Sequence, residues 1–321
     1  MSKHLMAVRI ALAQQNRNDD ASAIFAAKQL TFLETKVHEK VEESISYFKA
    51  FPLNFEGSTG IDSITSVWGQ ETGIAKQVGN SGTDFPRVSL GEDETLYPVK
   101  NYGLEYGLSI TDIEKAKYAN KNVDTRLAMA TNRGMEKAIN NCFWKGDGAL
   151  PGIFDKVNIT NLSSFTLPAD GNINGGSSSK KLRHKTAEQI ETQLVAMKAV
   201  AEAVYNGIFP VDTLVLEPLD YTYVVSIKSH NAESMLVVEY LQKIGFKNII
   251  SAPEMATAFD NGTKAGVLML PKNPEVLEAR IPVTKRALPA FFNGWEFVTK
   301  YLLACSGMHL YHPKKIVFAK Y

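Results

Sequence analysis

The chain is poor in cysteine, in net charge and in long apolar runs, and each shortage removes a class of protein. Only Cys142 and Cys305 occur, in apolar contexts and with no CxxC pair, so both read as buried small hydrophobes of a reducing compartment. Lysine plus arginine exceed aspartate plus glutamate by one, 35 against 34, which argues against the basic excess of a non-specific nucleic-acid binder. No window approaches the ~20 apolar residues of a membrane span. The N-terminal MSKHLMAVRIALAQQ lacks the continuous core and small-residue cleavage site of a signal peptide. The expectation is a protein made in a cytoplasm, with no membrane partner. Also missing are HExxH, GxSxG, P-loop and dinucleotide-binding motifs, and any internal repeat.

What is present is led by one long helical stretch, TDIEKAKYANKNVDTRLAMATNRGMEKAINNCFW, residues 111–144. Thr111 and Glu114 have the spacing of a capping box. Small or apolar residues recur at Ile113, Ala116, Val123, Leu127, Ala130, Gly134, Ala138 and Cys142, which predicts one buried stripe. Gly146 and Gly148 stop the run. At 1.5 Å per residue the rod would reach roughly 50 Å, the length of a spine that other layers lean on.

Residues 1–50 read as a helical arm, with Ile24, Ala27, Leu30 and Leu33 on one face and Val41, Ile45 and Phe48 on another. Residues 58–100 are punctuated by glycines between short β-like runs, and Gly79-Asn80-Ser81-Gly82 is a turn signal. So few positions here can build a core that the hairpin should pack against another chain. YPVKNYGLEYGLSI then feeds the spine as a strand. GDGALPGIFDKVNIT predicts a turn and a short strand, and residues 158–185 a polar, flexible loop. Residues 186–270 predict a compact α/β unit. Thr186 with Gln189 caps its first helix, and Ile190, Leu194, Met197, Ala201 and Val204 form the apolar stripe. DTLVLEP, NIISAPEM and GVLMLP are strands, LDYTYVVSIKS and AESMLVVEYLQKIG helices, with Asp260-Asn261-Gly262 as a turn. Residues 276–321 read as β throughout, with Trp295, Phe297, Thr299 and Tyr301 on one face.

Chemistry finds little foothold, so no cofactor and no metal is expected. His309 and His312 in MHLYHP fall on opposite strand faces, which favours a structural role over metal ligation. Gly146-Asp147-Gly148 follows a helix and opens none, so it reads as a stop and not as a phosphate loop. Glu92, Asp93 and Glu94 are adjacent acids of a solvated strand end. Lys180, Lys181, Arg183, His184 and Lys185 make a basic cluster that reads as a solvated loop.

The order of parts points to a family. An arm, a long hairpin, a spine helix, an α/β lobe and returning strands resemble the Hong Kong 97-type fold of tailed-phage major capsid proteins across nearly the whole chain. Local phrases resemble it too: Tyr102-Gly103-Leu104-Glu105-Tyr106 before the spine, Phe143-Trp144-Lys145-Gly146-Asp147 with Gly152-Ile153-Phe154 after it, and Gly307-Met308-His309-Leu310-Tyr311-His312-Pro313 near the end. The resemblance implies an α+β protein. Its parts are an N-terminal arm (1–57), an extended loop (58–100), a peripheral domain with the spine (101–157), a flexible loop (158–185), an axial domain (186–275) and return strands of the peripheral domain (276–321).

Further implications are a virion protein, not an enzyme, assembled in a bacterial cytoplasm into hexamers and pentamers of an icosahedral shell around double-stranded DNA held by non-specific contact. Separate scaffold and portal proteins, and a decoration protein, are implied partners. Trp68, Lys76, Phe85 and Arg87 of the extended loop are the implied intersubunit contacts. Some relatives cross-link a loop lysine to an asparagine; Lys76 lies in that stretch, but a solvated lysine is the plainer reading. Two alternatives stand beside this one. An encapsulin-like nanocompartment shell shares the fold and encloses an enzyme. An α/β enzyme would place Glu217, Asp220 and Glu254 around a site in residues 186–275, against their plain reading as helix caps and a surface acid.

Overall fold

The computed structural model describes residues 45–72, 87–118, 123–231, 234–259 and 264–321. Contacts divide the chain into Met1–Glu43 and Ser44–Tyr321, and the second unit is the one described. Of the predicted arm only residues 45–57 are therefore visible, as a helical turn α1 (Tyr47–Ala50) and a short strand β1 (Leu53–Asn54). The predicted turn over 79–82 and that over 260–262 lie outside the described residues.

Strands β2 (Ser63–Thr72) and β3 (Ser89–Pro98) form a two-stranded antiparallel hairpin, paired from Ser63–Pro98 to Thr72–Ser89. Strand β4 (Lys100–Ser109) then runs directly into helix α2 (Ile110–Tyr118), followed by α3 (Val123–Lys145). The helix starts one residue before the predicted Thr111, and the cap is Ser109. Its hydroxyl donates to Asp112 Oδ2 at 2.7 Å and accepts from the Asp112 N–H at 3.1 Å. Residues 119–122 of the predicted single rod lie outside the described residues. Gly146, with φ +76°, ends α3 as expected, where the left-handed conformation favours glycine.

The buried stripe of α3 differs from the predicted one. Thr131, Met135, Ile139, Cys142 and Phe143 are buried, whereas Ala130 is exposed and Leu127, Gly134 and Ala138 are only half-buried. Two neighbours account for this. A Cβ on Gly134 would lie 3.0 Å from Leu104 of β4, so that face rests on a sheet that solvent also reaches, while the face one position on meets the core.

After α3, residues 156–161 form helix α4 (Lys156–Asn161), where a strand was expected. The Ile159 N–H bonds the Asp155 carbonyl, and the Asn158 amide donates to the Gly152 carbonyl at 2.7 Å, local bonds that a strand cannot make. Strand β5 (Ser163–Ser164) and a long connection follow. Leu167 and Leu182 are fully buried in that connection, and Lys185, also buried, donates to the Pro168 carbonyl at 2.7 Å. The basic cluster is thus not uniformly solvated. Lys185 turns inward, and Arg183 pairs with two carboxylates.

The α/β part matches its sequence pattern. Helix α5 (Ala187–Ala203) carries the Thr186–Gln189 capping box, with both reciprocal bonds made. Strand β6 (Thr213–Leu216), helices α6 (Pro218–Ser226) and α7 (Val237–Lys243), and strands β7 (Asn248–Ser251) and β8 (Gly266–Leu270) complete it. Then come β9 (Leu277–Arg280), β10 (Val283–Ala287), β11 (Phe291–Phe292), β12 (Glu296–Cys305), β13 (Gly307–Leu310) and β14 (Val317–Lys320). Phe297, Thr299 and Tyr301 sit opposite Leu108, Tyr106 and Leu104 of β4, so the expected shared face is formed. Trp295 precedes the strand.

The largest sheet has the order β5-β14-β8-β6-β7, in which β14 pairs with β8 and β5. The final strand of residues 276–321 thus belongs to the sheet of the α/β part. Every residue of β6 and β8 is buried, as in a sheet covered on both faces. The period-2 rule divides them between two cores. Leu214, Leu216, Val267, Met269, Val317 and Ala319 pack on Ile190, Leu194, Met197 and Ala201 of α5. Val215, Leu268 and Phe318 belong to the core of Met135, Ile139, Phe143 and Trp144 from α3. No helix among the described residues is long and apolar enough to cross a membrane.

Candidate functional site

The hairpin is the part whose surface has least company within its own chain. Directly opposed residues of an antiparallel pair share a face, which sorts its side chains. Ile64 with Tyr97, Ser66 with Thr95, and Trp68 with Asp93 lie on one face. That face meets the chain's own body. The Trp68 ring lies 5.4 Å from Tyr311 and 5.8 Å from His312, and Tyr97 stacks on His309 at 3.7 Å. The other face carries Thr65 with Leu96, Val67 with Glu94, and Gly69 with Glu92. It is open, with Val67 58% and Leu96 65% exposed. Glu92 and Glu94 are on this outer face and Asp93 on the inner one, so the three acids diverge and make no metal cluster.

Of the four contact residues expected in the extended loop, Lys76 and Phe85 lie outside the described residues. Arg87 is exposed. Trp68 is half-buried against its own chain, and its indole N–H donates to Thr95 Oγ1 at 3.3 Å. It fixes the root of the hairpin, a role that the sequence pattern did not show because Tyr311 and His312 are remote in the chain.

His309 anchors the same root. It is fully buried. The Ser306 hydroxyl donates to the Pro98 carbonyl at 3.0 Å and lies 2.9 Å from His309 Nε2. Nε2 therefore carries the hydrogen, and Nδ1 is buried without a partner. Burial, with the nearby Arg280 charge, pushes its pKa from 6.5 down to about 3, so the ring is neutral. His312 sits apart, stacked on Phe209 and edge-on to Trp68 and Tyr205. The two histidines are structural, and no metal-binding cluster occurs among the described residues.

Two of the three acids of the enzyme reading share a partner, and the third has others. Glu217 and Asp220 face Arg183, at 3.3 and 3.5 Å, and Asp220 also accepts from the Tyr321 hydroxyl and the Arg183 N–H. Glu217 occupies the N-cap position of α6, yet its side chain makes no capping bond. Glu254 is buried elsewhere. It accepts from Ser46 Oγ at 2.7 Å and from the Asn140 amide, while Trp144 Nε1 donates to Ser46 Oγ at 3.0 Å. Asn140 Oδ1 accepts the N–H groups of Ser46 and Tyr47 at 3.3 and 3.2 Å. Glu254 is thus no surface acid; it ties α1 to the spine.

Among the described residues, a strand ladder with one open face thus stands beside two packed cores. The family model described as "Major capsid protein" matches residues 73–321, and the chain belongs to that family. It is a structural capsid subunit with the Hong Kong 97-type fold. Among solved structures, the capsid of Myoviridae phage XM1 is similar at a TM-score of 0.73 and 14% identity, covering 92% of this chain and 97% of that one. The Mycobacterium phage Bobi structure is similar at a TM-score of 0.55 and 11% identity, over 91% and 97%. A virus-like particle from Pyrococcus furiosus is similar at 0.52 and 16%, over 85% and 91%. No curated protein matches by sequence.

Proposed function

We propose that this chain is the major capsid subunit of a tailed bacteriophage, closing as hexamers and pentamers into an icosahedral shell around double-stranded DNA. The carrying observation is the hairpin. Leu90, Leu96 and Val67 are 58–65% exposed on a ladder with no third strand among the described residues, a surface that a neighbouring subunit can cover. The partner is a second copy, because the same contact repeated around a ring closes a shell. Arg87, with Lys76 and Phe85, reaches the neighbour, and Trp68 holds the root from which the loop extends and borders that contact. Residues 1–57 serve as the arm, 101–157 with the strands of 276–321 as the peripheral domain, and 186–275 as the axial domain, with 158–185 a loop between them. Scaffold, portal and decoration proteins are separate chains, and DNA is confined without a basic lining, in keeping with a net charge of +1. Assembly takes place in the host cytoplasm and the product is the virion. The reading as a non-enzyme is supported by all three acids being taken up in structural contacts, Glu217 and Asp220 with Arg183 and Glu254 with Ser46.

Negative-stain electron microscopy of the untagged chain, expressed alone and with candidate scaffolds, tests this. Closed particles or rings of five and six are expected. A persistent monomer under every co-expression would overturn it, and particles filled with an enzyme instead of DNA would mark a nanocompartment.

A further inference from the structure

The chain's two cysteines lie far apart in sequence, yet they meet. Cys142 Sγ on α3 is 4.0 Å from Cys305 Sγ at the end of β12. Both are buried and unbridged. Their surroundings are not those of inert core thiols. The Gly307 N–H donates to Cys305 Sγ at 3.4 Å, and the Cys305 thiol faces the Arg280 carbonyl at 3.7 Å. The Tyr102 hydroxyl donates to the exposed carboxylate of Asp147 and lies beside Cys142. The Tyr102 side chain is itself half-buried.

We propose that Cys142 and Cys305 are a dithiol site that a small peroxide converts to an intramolecular disulfide, locking the spine helix to the return strand. Closing 4.0 Å to a bond of about 2.05 Å asks for about 2 Å of relative movement between the two sulfurs. The Cys142 thiolate attacks hydrogen peroxide, breaking its O–O bond and giving a sulfenic acid while the departing hydroxide takes up a proton as water. The Cys305 thiol then gives up its proton as its sulfur attacks the Cys142 sulfur, and the expelled hydroxide takes that proton and leaves as a second water. Two thiols lose two hydrogens and two electrons, and one peroxide becomes two waters. The order follows from the contact between the thiols: the Cys305 hydrogen bond lowers the Cys142 pKa, whereas that bond and burial raise the Cys305 pKa. The bridge encloses helix α5 and strands β6 to β8, so it constrains the unfolded chain and strengthens the folded one.

The test uses the purified full-length chain and does not depend on shell assembly. After peroxide treatment and alkylation under denaturing conditions, mass spectrometry should show a chain about 2 Da lighter with no alkylated cysteine. Digestion should link the tryptic peptide of residues 138–145 to that of 301–314, reversibly with dithiothreitol. The Cys305→Ser variant should trap the Cys142 sulfenic acid as a dimedone adduct, and Cys142→Ser should give none at Cys305. Both thiols remaining free, separate sulfinic or sulfonic acids, or a bridge between two chains would overturn the proposal. The thiol readout on unmodified protein stands even where a variant fails to fold.

Discussion

The α/β part and the hairpin use strands in opposite ways. In β6 and β8 every side chain is buried, and the two faces serve two cores at once. In β3 every residue from Ser89 to Leu96 is exposed. The first kind of strand obtains its stability from its own chain. The second keeps its root, at Trp68 and Tyr97, in contact with that chain and exposes the rest of its described length. Under the proposed function, folding and assembly would draw on different apolar surfaces.

The sharpest way to break this contrast is to delete residues 70–90. The expected outcome is a chain with native circular dichroism and cooperative unfolding that forms no closed particles by electron microscopy. Normal particles would end the assembly role of the hairpin. Next in size, Leu194→Ala, at a fully buried α5 position, should cost about 2–5 kcal/mol in urea unfolding. A third test addresses the root. His309 is neutral when folded, with its pKa near 3, and takes a proton near 6.5 when unfolded. Stability from this site is therefore full above pH ~6.5 and is lost as pH falls toward ~3, by a few kcal/mol in all. Urea midpoints across that range should slope for the native protein and flatten for His309→Gln. The smallest effect belongs to Leu96→Ala on the outer face, which should change monomer stability by under ~0.5 kcal/mol while reducing particle yield. A large loss of monomer stability there would mean that the outer face packs on its own chain.

Sequence pattern revealed much of this architecture where the signal was local. The Thr186–Gln189 capping box, the α5 stripe and the alternation along β12 all depend on residues a few positions apart. It failed where remote partners decided. Ser109 outcompeted Thr111 as the spine's cap, although both hydroxyls are plausible acceptors of a first-turn N–H. The buried stripe of α3 turned by one position because β4 occupies the expected face. Residues 156–161 became helix through bonds to Asp155 and Gly152, which their β-branched composition did not suggest. Among candidate site residues, the glycine-rich composition identified the hairpin but could not show that Trp68 belongs to its root. Nor could spacing show that Glu254 closes a network with Ser46 and Asn140, or that Cys142 and Cys305 converge, since each pairing spans a large part of the chain.

The place of β14 couples the two cores. Strand β14 (Val317–Lys320) lies inside the sheet, between β5 and β8. Phe318 completes one core and Val317 and Ala319 the other. Withdrawing this one strand would bare the edge of β8 and open both cores together, so at this seam neither core can loosen without the other.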